Sequence, residues 1–166
     1  MTNHLPMPLK SDEKPGRRRR ALFIEDLRPS VTAAEELLHE YGYEFRFAKT
    51  APQGLQMLAE YDPQLVLIDS IINDRLEDLA GFSASLVDML AEMQSPNVVF
   101  NGATLYLANR EFFQKGGRNI LFLTALSEEE LAAHEYKGEH IPREMILSKN
   151  DLQFVQRFED FLRSLD

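Results

Sequence analysis

The stretch "PQLVLIDSII", residues 63–72, ends an apolar run with one carboxylate, Asp69, and then turns apolar again. Its core, "LVLI" (65–68), is apolar at every position, which is typical of a parallel strand buried on both faces. An acid at the end of such a strand starts a turn, caps a helix, binds a metal or acts as a nucleophile. The neighbouring strands decide between these roles.

Short apolar runs alternate with segments of helical period along most of the chain. Five runs predict strands: "ALFIED", "YEFRFA", "QLVLIDS", "NILFLTA" and "EMILSK". Each is followed by a helix-like segment, and the fourth of these segments is "SEEELAAHEY" (127–136). Right-handed crossovers between parallel strands place the helices on both faces of the sheet. The pattern therefore predicts a doubly wound α/β fold with five parallel strands.

Three helix starts carry capping signals. Pro29 suits a first helical turn, and Ser127 with Glu130 forms a capping box. Asn150 or Asp151 is placed to cap the last helix.

Length and composition predict one soluble domain with an acidic surface. The 166 residues are 44% hydrophobic, carry a net charge of −9 and include no cysteine. The charge argues against nucleic-acid binding and membrane insertion, and the lack of cysteine suits a reducing, cytoplasmic setting. We expect a protein that acts by binding other proteins.

Two segments stand apart from the repeating pattern. Residues 1–19 are predicted to form a disordered basic arm, with residues 20–166 as the domain. The run Arg17 to Arg20 is either a contact for an anionic partner or, by preference, a solvated basic run. An insertion at about 72–100 contains an amphipathic stretch, Leu76 to Met93, which either covers the domain's own core or serves as a docking or lid element.

Polar residues follow all five predicted strands, and those after the second, Lys49 and Thr50, carry no predicted function. Glu25 and Asp26 end the first strand, Asp69 the third, Thr124 the fourth and Lys149 the fifth. Because carboxyl ends of parallel strands share one edge, three carboxylates meet there and repel one another unless a cation is present. A hard divalent ion such as Mg²⁺ relieves that repulsion, while the hydroxyl and the ammonium hold an anion. Such a set suits phosphoryl transfer, with Asp69 as the nucleophile that forms an acyl phosphate.

These five residues, in this order and on these strands, resemble the receiver domain of two-component response regulators. The resemblance spans about residues 20–165 and implies a flavodoxin-like strand order of 2-1-3-4-5. It implies that Asp69 accepts a phosphoryl group from a histidine kinase or phosphotransfer protein. Thr124 and Lys149 would contact the phosphoryl oxygens.

The resemblance also implies a Mg²⁺ site and a mode of action. Asp26 and Asp69 would bind the metal directly, Glu25 through water, and Ile71 through its backbone carbonyl. The protein would be no enzyme in the usual sense, because its chemistry is limited to self-phosphorylation and slow self-dephosphorylation. With no further segment after Asp166, we expect a single-domain regulator, monomeric or weakly dimeric, that signals by binding a downstream protein.

Departures from the family pattern keep an alternative open. Asn150 follows the lysine where the family usually has a proline after a cis peptide bond, and Ile146 replaces the usual switch aromatic. With the insertion, these changes favour a receiver-like binding module that works without phosphorylation. The apolar residues Ile71 and Leu126 instead predict a slowly hydrolysed aspartyl phosphate, because neither orients water.

The spacing of residues along the sequence argues against two other functions. A haloacid-dehalogenase-type phosphatase needs a second aspartate two residues after the first, where Ile71 stands. The segment "HEYKGEH" (134–140) does not place two histidines one helical turn apart, so it does not predict a zinc helix.

Overall fold

The computed structural model describes residues 18–72, 88 and 100–166. The strands within these residues are β1 (Arg19–Ile24), β2 (Tyr43–Ala48), β3 (Leu65–Ile68), β4 (Asn119–Thr124), β5 (Glu135–Tyr136), β6 (Glu139–His140) and β7 (Ile146–Ser148). The helices are α1 (Thr32–Glu40), α2 (Ala51–Tyr61), α3 (Asn101–Ala108), α4 (Arg110–Gln114), α5 (Glu128–Ala132) and α6 (Phe154–Ser164). Short 3-10 turns precede α1 (Arg28–Val31), follow α4 (Lys115–Gly117) and precede β7 (Arg143–Met145).

Five strands form one parallel sheet in the order β2-β1-β3-β4-β7, while β5 and β6 form a separate hairpin. Since β7 is the fifth predicted strand, the flavodoxin-like order 2-1-3-4-5 is confirmed. The register sets Ile24 beside Ile68, and Ile68 beside Phe122. The residues that follow β1 and β3 therefore emerge at the same level of the sheet edge.

Both faces of the sheet are covered, which explains the unbroken apolar pattern of β3. All four of its residues are at most 1% exposed. One core cluster joins Val66 and Ile68 to α2 and α3, and the other joins Leu65 and Leu67 to α1 and α6. A polar residue within β3 would lie in one of these clusters without water, so only the residues after the strand are available for chemistry.

Two of the three predicted capping signals act as expected. Pro29 lies in the first turn of the 3-10 segment before α1. Ser127 Oγ accepts a hydrogen bond from the Glu130 backbone N–H at 3.1 Å and donates to Glu130 Oε1 at 3.1 Å.

The predicted cap of the last helix is wrong. The residue before α6 is Gln153, and no side chain in the described chain caps that helix. The Asp151 carboxylate accepts from the Gln153 N–H at 2.8 Å instead, so it stabilises the turn that leads into the helix. Asn150 binds the Ala125 carbonyl.

The fourth predicted helix, residues 127–136, is much shorter than expected. α5 ends at Ala132, and β5 pairs with β6 in an antiparallel hairpin. Lys137 and Gly138 form its turn with φ of +50° and +79°. A lysine–glycine pair at positive φ is the backbone of a two-residue hairpin turn, a signal that the helical reading of this segment overlooked.

The predicted boundaries of the arm, the domain and the insertion can be compared with the structure only in part. Residues 1–17 and all of Leu76–Met93 except Asp88 lie outside the described residues. β1 begins at Arg19, one residue before the predicted start of the domain, and Arg19 pairs with the Asp166 carboxylate. None of the described helices has the length and apolar character of a membrane span.

A backbone clamp fixes the loop after β3. The Ile72 N–H donates to Asn101 Oδ1 at 2.7 Å, and Asn101 Nδ2 donates back to the Ile72 carbonyl. Gly102, which follows Asn101, donates its N–H to the Ser70 carbonyl at 2.9 Å. α3 thus begins against the backbone that follows Asp69, and Gly102 makes this approach possible.

Gly102→Ala should destabilise the fold by about 1–3 kcal/mol, as overpacking a rigid contact does. A Cβ at Gly102 would lie 1.9 Å from the Asp69 carbonyl oxygen, which is backbone and cannot rotate away. Gly54→Ala is the control and should lose less, because its Cβ would meet only side-chain atoms of Ile24, at 2.8–3.2 Å, rather than backbone. Urea unfolding of both variants measures the difference, and equal losses would contradict the clamp.

Candidate functional site

The end of β1 supplies two acids in different environments. Glu25 continues the strand, since its N–H donates to the Ala48 carbonyl at 2.9 Å, and its side chain turns inward. Only 2% of Glu25 is exposed, whereas Asp26 is exposed to solvent. Glu25 Oε1 accepts from the Leu27 N–H at 3.0 Å.

Asp69 joins these two acids at the end of β3. Its N–H donates to the Ile24 carbonyl at 3.0 Å, which keeps the residue beside Glu25. Each of Glu25, Asp26 and Asp69 offers a carboxylate oxygen, and the three oxygens lie within 4.8 Å of one another. The three acids therefore converge as the sequence predicted, and the Asp69 side chain stays 14% exposed.

Lys149 places its ammonium inside this acidic cluster. Its Nζ donates to Glu25 Oε2 at 2.6 Å and lies 3.5 Å from Asp69 Oδ2. Lys149 Nζ also donates to Ser30 Oγ at 2.9 Å. Ser30 lies in the 3-10 turn before α1. The predicted lysine is thus at the site, but it contacts Glu25 more closely than Asp69. Sequence reasoning missed Ser30, because a serine after Pro29 reads as part of a helix start.

Burial raises the pKa of Glu25 from 4.5 to about 7. Removal of the carboxylate from water is the largest cause, and repulsion by Asp69 acts in the same direction. The hydrogen bond from Lys149 opposes both effects without cancelling them. Glu25 therefore holds its proton more tightly than a glutamate in water does.

The predicted hydroxyl, Thr124, is fully buried at the end of β4. Its Oγ1 lies 2.6 Å from Ser70 Oγ and accepts from the Leu126 N–H at 3.1 Å. Its carbonyl accepts from the Lys149 N–H at 2.6 Å, which joins the ends of β4 and β7. Ser70, only 1% exposed, was not predicted, because nothing in the sequence marks the residue after Asp69 as a partner of Thr124.

The residues that differ from the receiver-family pattern lie in and near the loops around the site. The described residues contain no cis peptide bond, so the bond between Lys149 and Asn150 is trans. Asn150 Nδ2 holds the opposite loop by donating to the Ala125 carbonyl at 2.9 Å. Ile146 is 2% exposed in β7, so the position of the usual switch aromatic is filled by a core residue. Ile71 is 46% exposed and presents an apolar surface beside Asp69.

The donor set fits a hard divalent cation. Three carboxylates converge on one point, and oxygen ligands of this kind suit Mg²⁺. Burial is the main cause of the raised pKa of Glu25 and repulsion by Asp69 adds to it, so a cation at this point would favour the charged form of the carboxyl. The part predicted for the Ile71 carbonyl stays a prediction.

No family model and no curated protein matches this sequence. Solved structures do resemble it in fold. A response regulator from Thermotoga maritima has a TM-score of 0.56 at 13% identity, covering 90% of this chain and 98% of that one. A CheY-like response regulator receiver domain from Methylobacillus flagellatus has a TM-score of 0.55 at 14% identity, covering 90% and 100%. A sensor protein from Polaromonas sp. JS666 has a TM-score of 0.57 at 13% identity, also covering 90% and 100%.

The chain therefore has the fold of CheY-like response regulator receiver domains over most of its length. This confirms at the level of fold the resemblance seen in the sequence. At such identities the likeness concerns architecture, and the roles of individual residues rest on the geometry described above.

Glu25→Gln should flatten the pH dependence of stability between pH 4.5 and about 7, the ordinary and folded pKa values of Glu25. A raised folded pKa means that the folded protein binds the proton more tightly than the unfolded chain. The contribution of Glu25 is thus fully present below pH 4.5 and is lost as the pH rises through about 7. Urea unfolding across this range without divalent cations measures the slope, and equal slopes in both proteins would contradict the raised pKa.

Proposed function

We propose that this protein is a response regulator receiver in which Asp69 accepts a phosphoryl group from a histidine kinase or phosphotransfer protein. One observation carries the proposal. On a receiver fold, Asp69 stands at the carboxyl edge of the sheet with two further carboxylates within 4.8 Å and an ammonium 3.5 Å away. Signalling then proceeds by binding of the phosphorylated domain to a downstream protein.

The transfer step uses Asp69 as the nucleophile. A carboxylate oxygen of Asp69 attacks phosphorus as the phosphorus–nitrogen bond of the phosphohistidine breaks. The new bond is an acyl phosphate, and the electron pair of the broken bond returns to the imidazole nitrogen of the donor. The 14% exposure of the Asp69 side chain opens it to a donor, while Lys149 offsets the charge of the incoming group.

Asp26, Asp69 and the Ile71 carbonyl would hold Mg²⁺ directly, with Glu25 acting through water. The ion would supply positive charge against the phosphoryl oxygens, which is the main requirement of this reaction. Lys149 must share its ammonium between Glu25, its partner at 2.6 Å, and the phosphoryl group. Glu25 therefore acts as the resting partner of the lysine that stabilises the product.

A second candidate function is a receiver-like module that binds its partner without phosphorylation. The observation that favours it is the salt bridge of Lys149 with buried Glu25, which ties the ammonium to an acid other than Asp69. The trans peptide after Lys149 and the aliphatic Ile146 favour the same reading. Phosphoryl acceptance by Asp69 separates the two candidates.

Incubation of the protein with acetyl phosphate or phosphoramidate and Mg²⁺ should add the mass of one phosphoryl group. Intact-mass spectrometry detects the adduct directly. Asp69→Asn should show no addition, because an amide cannot form the acyl phosphate. Glu44→Gln, which removes an exposed carboxylate on β2 away from the site, is the matched control and should accept the group normally.

Two results would count against the phosphoacceptor proposal. The first is a wild-type protein that gains no mass under conditions in which another receiver is phosphorylated. The second is an adduct that persists in Asp69→Asn, since the group would then lie on another residue. The first result would favour the module that binds without phosphorylation, and the second would show that Asp69 is not the phosphoacceptor.

The aspartyl phosphate should be long-lived, because exposed Ile71 and the partly buried Leu126 offer no side-chain hydrogen bond to hydrolytic water. Ile71→Asn should shorten its lifetime by supplying an amide that can orient water beside Asp69. Loss of the added mass over time measures both lifetimes, with Ile71→Val as the apolar control. A wild-type half-life of seconds would contradict this expectation.

A further inference from the structure

Ser70 and Thr124 form a buried pair of hydroxyl groups next to the acidic cluster. Their oxygens lie 2.6 Å apart, and the two residues are 1% and 0% exposed. The pair bridges β4 and the loop after β3, so it joins the residue after Asp69 to Thr124, which is predicted to contact the phosphoryl oxygens. Neither the acidic cluster nor the ammonium of Lys149 requires this bond.

We propose that Ser70 is a positioning residue that holds the Thr124 hydroxyl in its unphosphorylated position. The proposal rests on the proposed function, in which Thr124 contacts a phosphoryl oxygen. Thr124 Oγ1 has two hydrogen-bond partners among the described residues, Ser70 Oγ and the Leu126 N–H, and neither of them is the Asp69 carboxylate. To reach a group on Asp69, the Thr124 hydroxyl must leave Ser70.

The departure of Thr124 has a cost because Ser70 is buried. A buried hydroxyl that loses its partner carries an unfavourable desolvation energy, whereas an alanine at the same place has no group to satisfy. Ser70 therefore shifts the equilibrium of Thr124 towards the inactive arrangement. Because Ser70 directly follows Asp69 in the chain, the bond between Ser70 and Thr124 that must break lies next to the phosphorylated residue.

The loop geometry keeps Ser70 in place while Thr124 moves. The Ser70 carbonyl accepts from the Gly102 N–H at 2.9 Å, at the start of α3. Ile72 is clamped by Asn101, so the backbone on the other side of Ser70 is fixed as well. The hydroxyl pair thus opens by movement of the β4 end, towards Asp69, and not by movement of the loop.

Ser70→Ala should bind beryllofluoride, an acyl-phosphate mimic, about fivefold more tightly than the wild type in the presence of Mg²⁺, the gain expected from removing one hydrogen bond of the inactive state. Isothermal titration calorimetry gives both affinities. Ser148→Ala is the matched control, because Ser148 is a buried serine at the end of β7 whose hydroxyl, among the described residues, bonds only the Asn150 N–H of its own loop. Its affinity should stay at the wild-type value.

A double-mutant cycle with Thr124→Val shows whether Ser70 acts through Thr124. In the Thr124→Val background, Ser70→Ala should leave the affinity unchanged, whereas a merely structural effect would persist. A second readout needs neither metal nor beryllofluoride. Nuclear magnetic resonance of the Thr124 methyl group should show a fixed side chain in the wild type and averaging between rotamers in Ser70→Ala.

The outcomes separate this proposal from the proposed function. Unchanged or weaker binding by Ser70→Ala, or a gain that survives in Thr124→Val, overturns the role of Ser70 and leaves Asp69 as phosphoacceptor. A fixed Thr124 methyl in Ser70→Ala also overturns it. Failure of the wild-type protein to bind beryllofluoride and to gain a phosphoryl group overturns both proposals together.

Discussion

Three carboxyl groups lie within 4.8 Å of one another, and the Lys149 ammonium supplies one positive charge among them. The lysine enters from β7, bonds Glu25 after β1 at 2.6 Å, and lies 3.5 Å from Asp69 after β3. Its backbone N–H binds the Thr124 carbonyl after β4. One residue therefore connects the ends of four strands, and the site forms only when β1, β3, β4 and β7 lie side by side in this order.

Much of this arrangement could be predicted because it depends on strand ends. Apolar runs such as 65–68 mark strands buried on both faces, and parallel register then brings Glu25 and Asp69 to one edge. Lys149 was placed at the same edge by the same reasoning. The fold class and the convergence of the acids follow from periodicity and topology, which a sequence shows directly.

The features that were missed depend on contacts between distant residues. Ser70 meets Thr124 across 54 positions, Lys149 meets Ser30 across 119, and Asn101 clamps Ile72 across 29. No local pattern encodes such pairs. The hairpin after α5 was missed for another reason, since Lys137–Gly138 is a turn signal that the helix-like "SEEELAAH" segment obscured. The long-range contacts depend on tertiary structure, whereas the hairpin depends on the conformation of its turn residues.

In the proposed function, the site responds to phosphorylation on two sides. A phosphoryl group replaces the single charge of Asp69 by a larger one, about −1.5 to −2 at neutral pH, and so competes with Glu25 for Lys149. Because Lys149 also binds Ser30, this exchange reaches the turn before α1. On the other side, Thr124 must leave Ser70, and its neighbour Leu126 carries the change towards α5. A buried aliphatic residue at 146 does not prevent output, because both routes begin at polar contacts of the site itself.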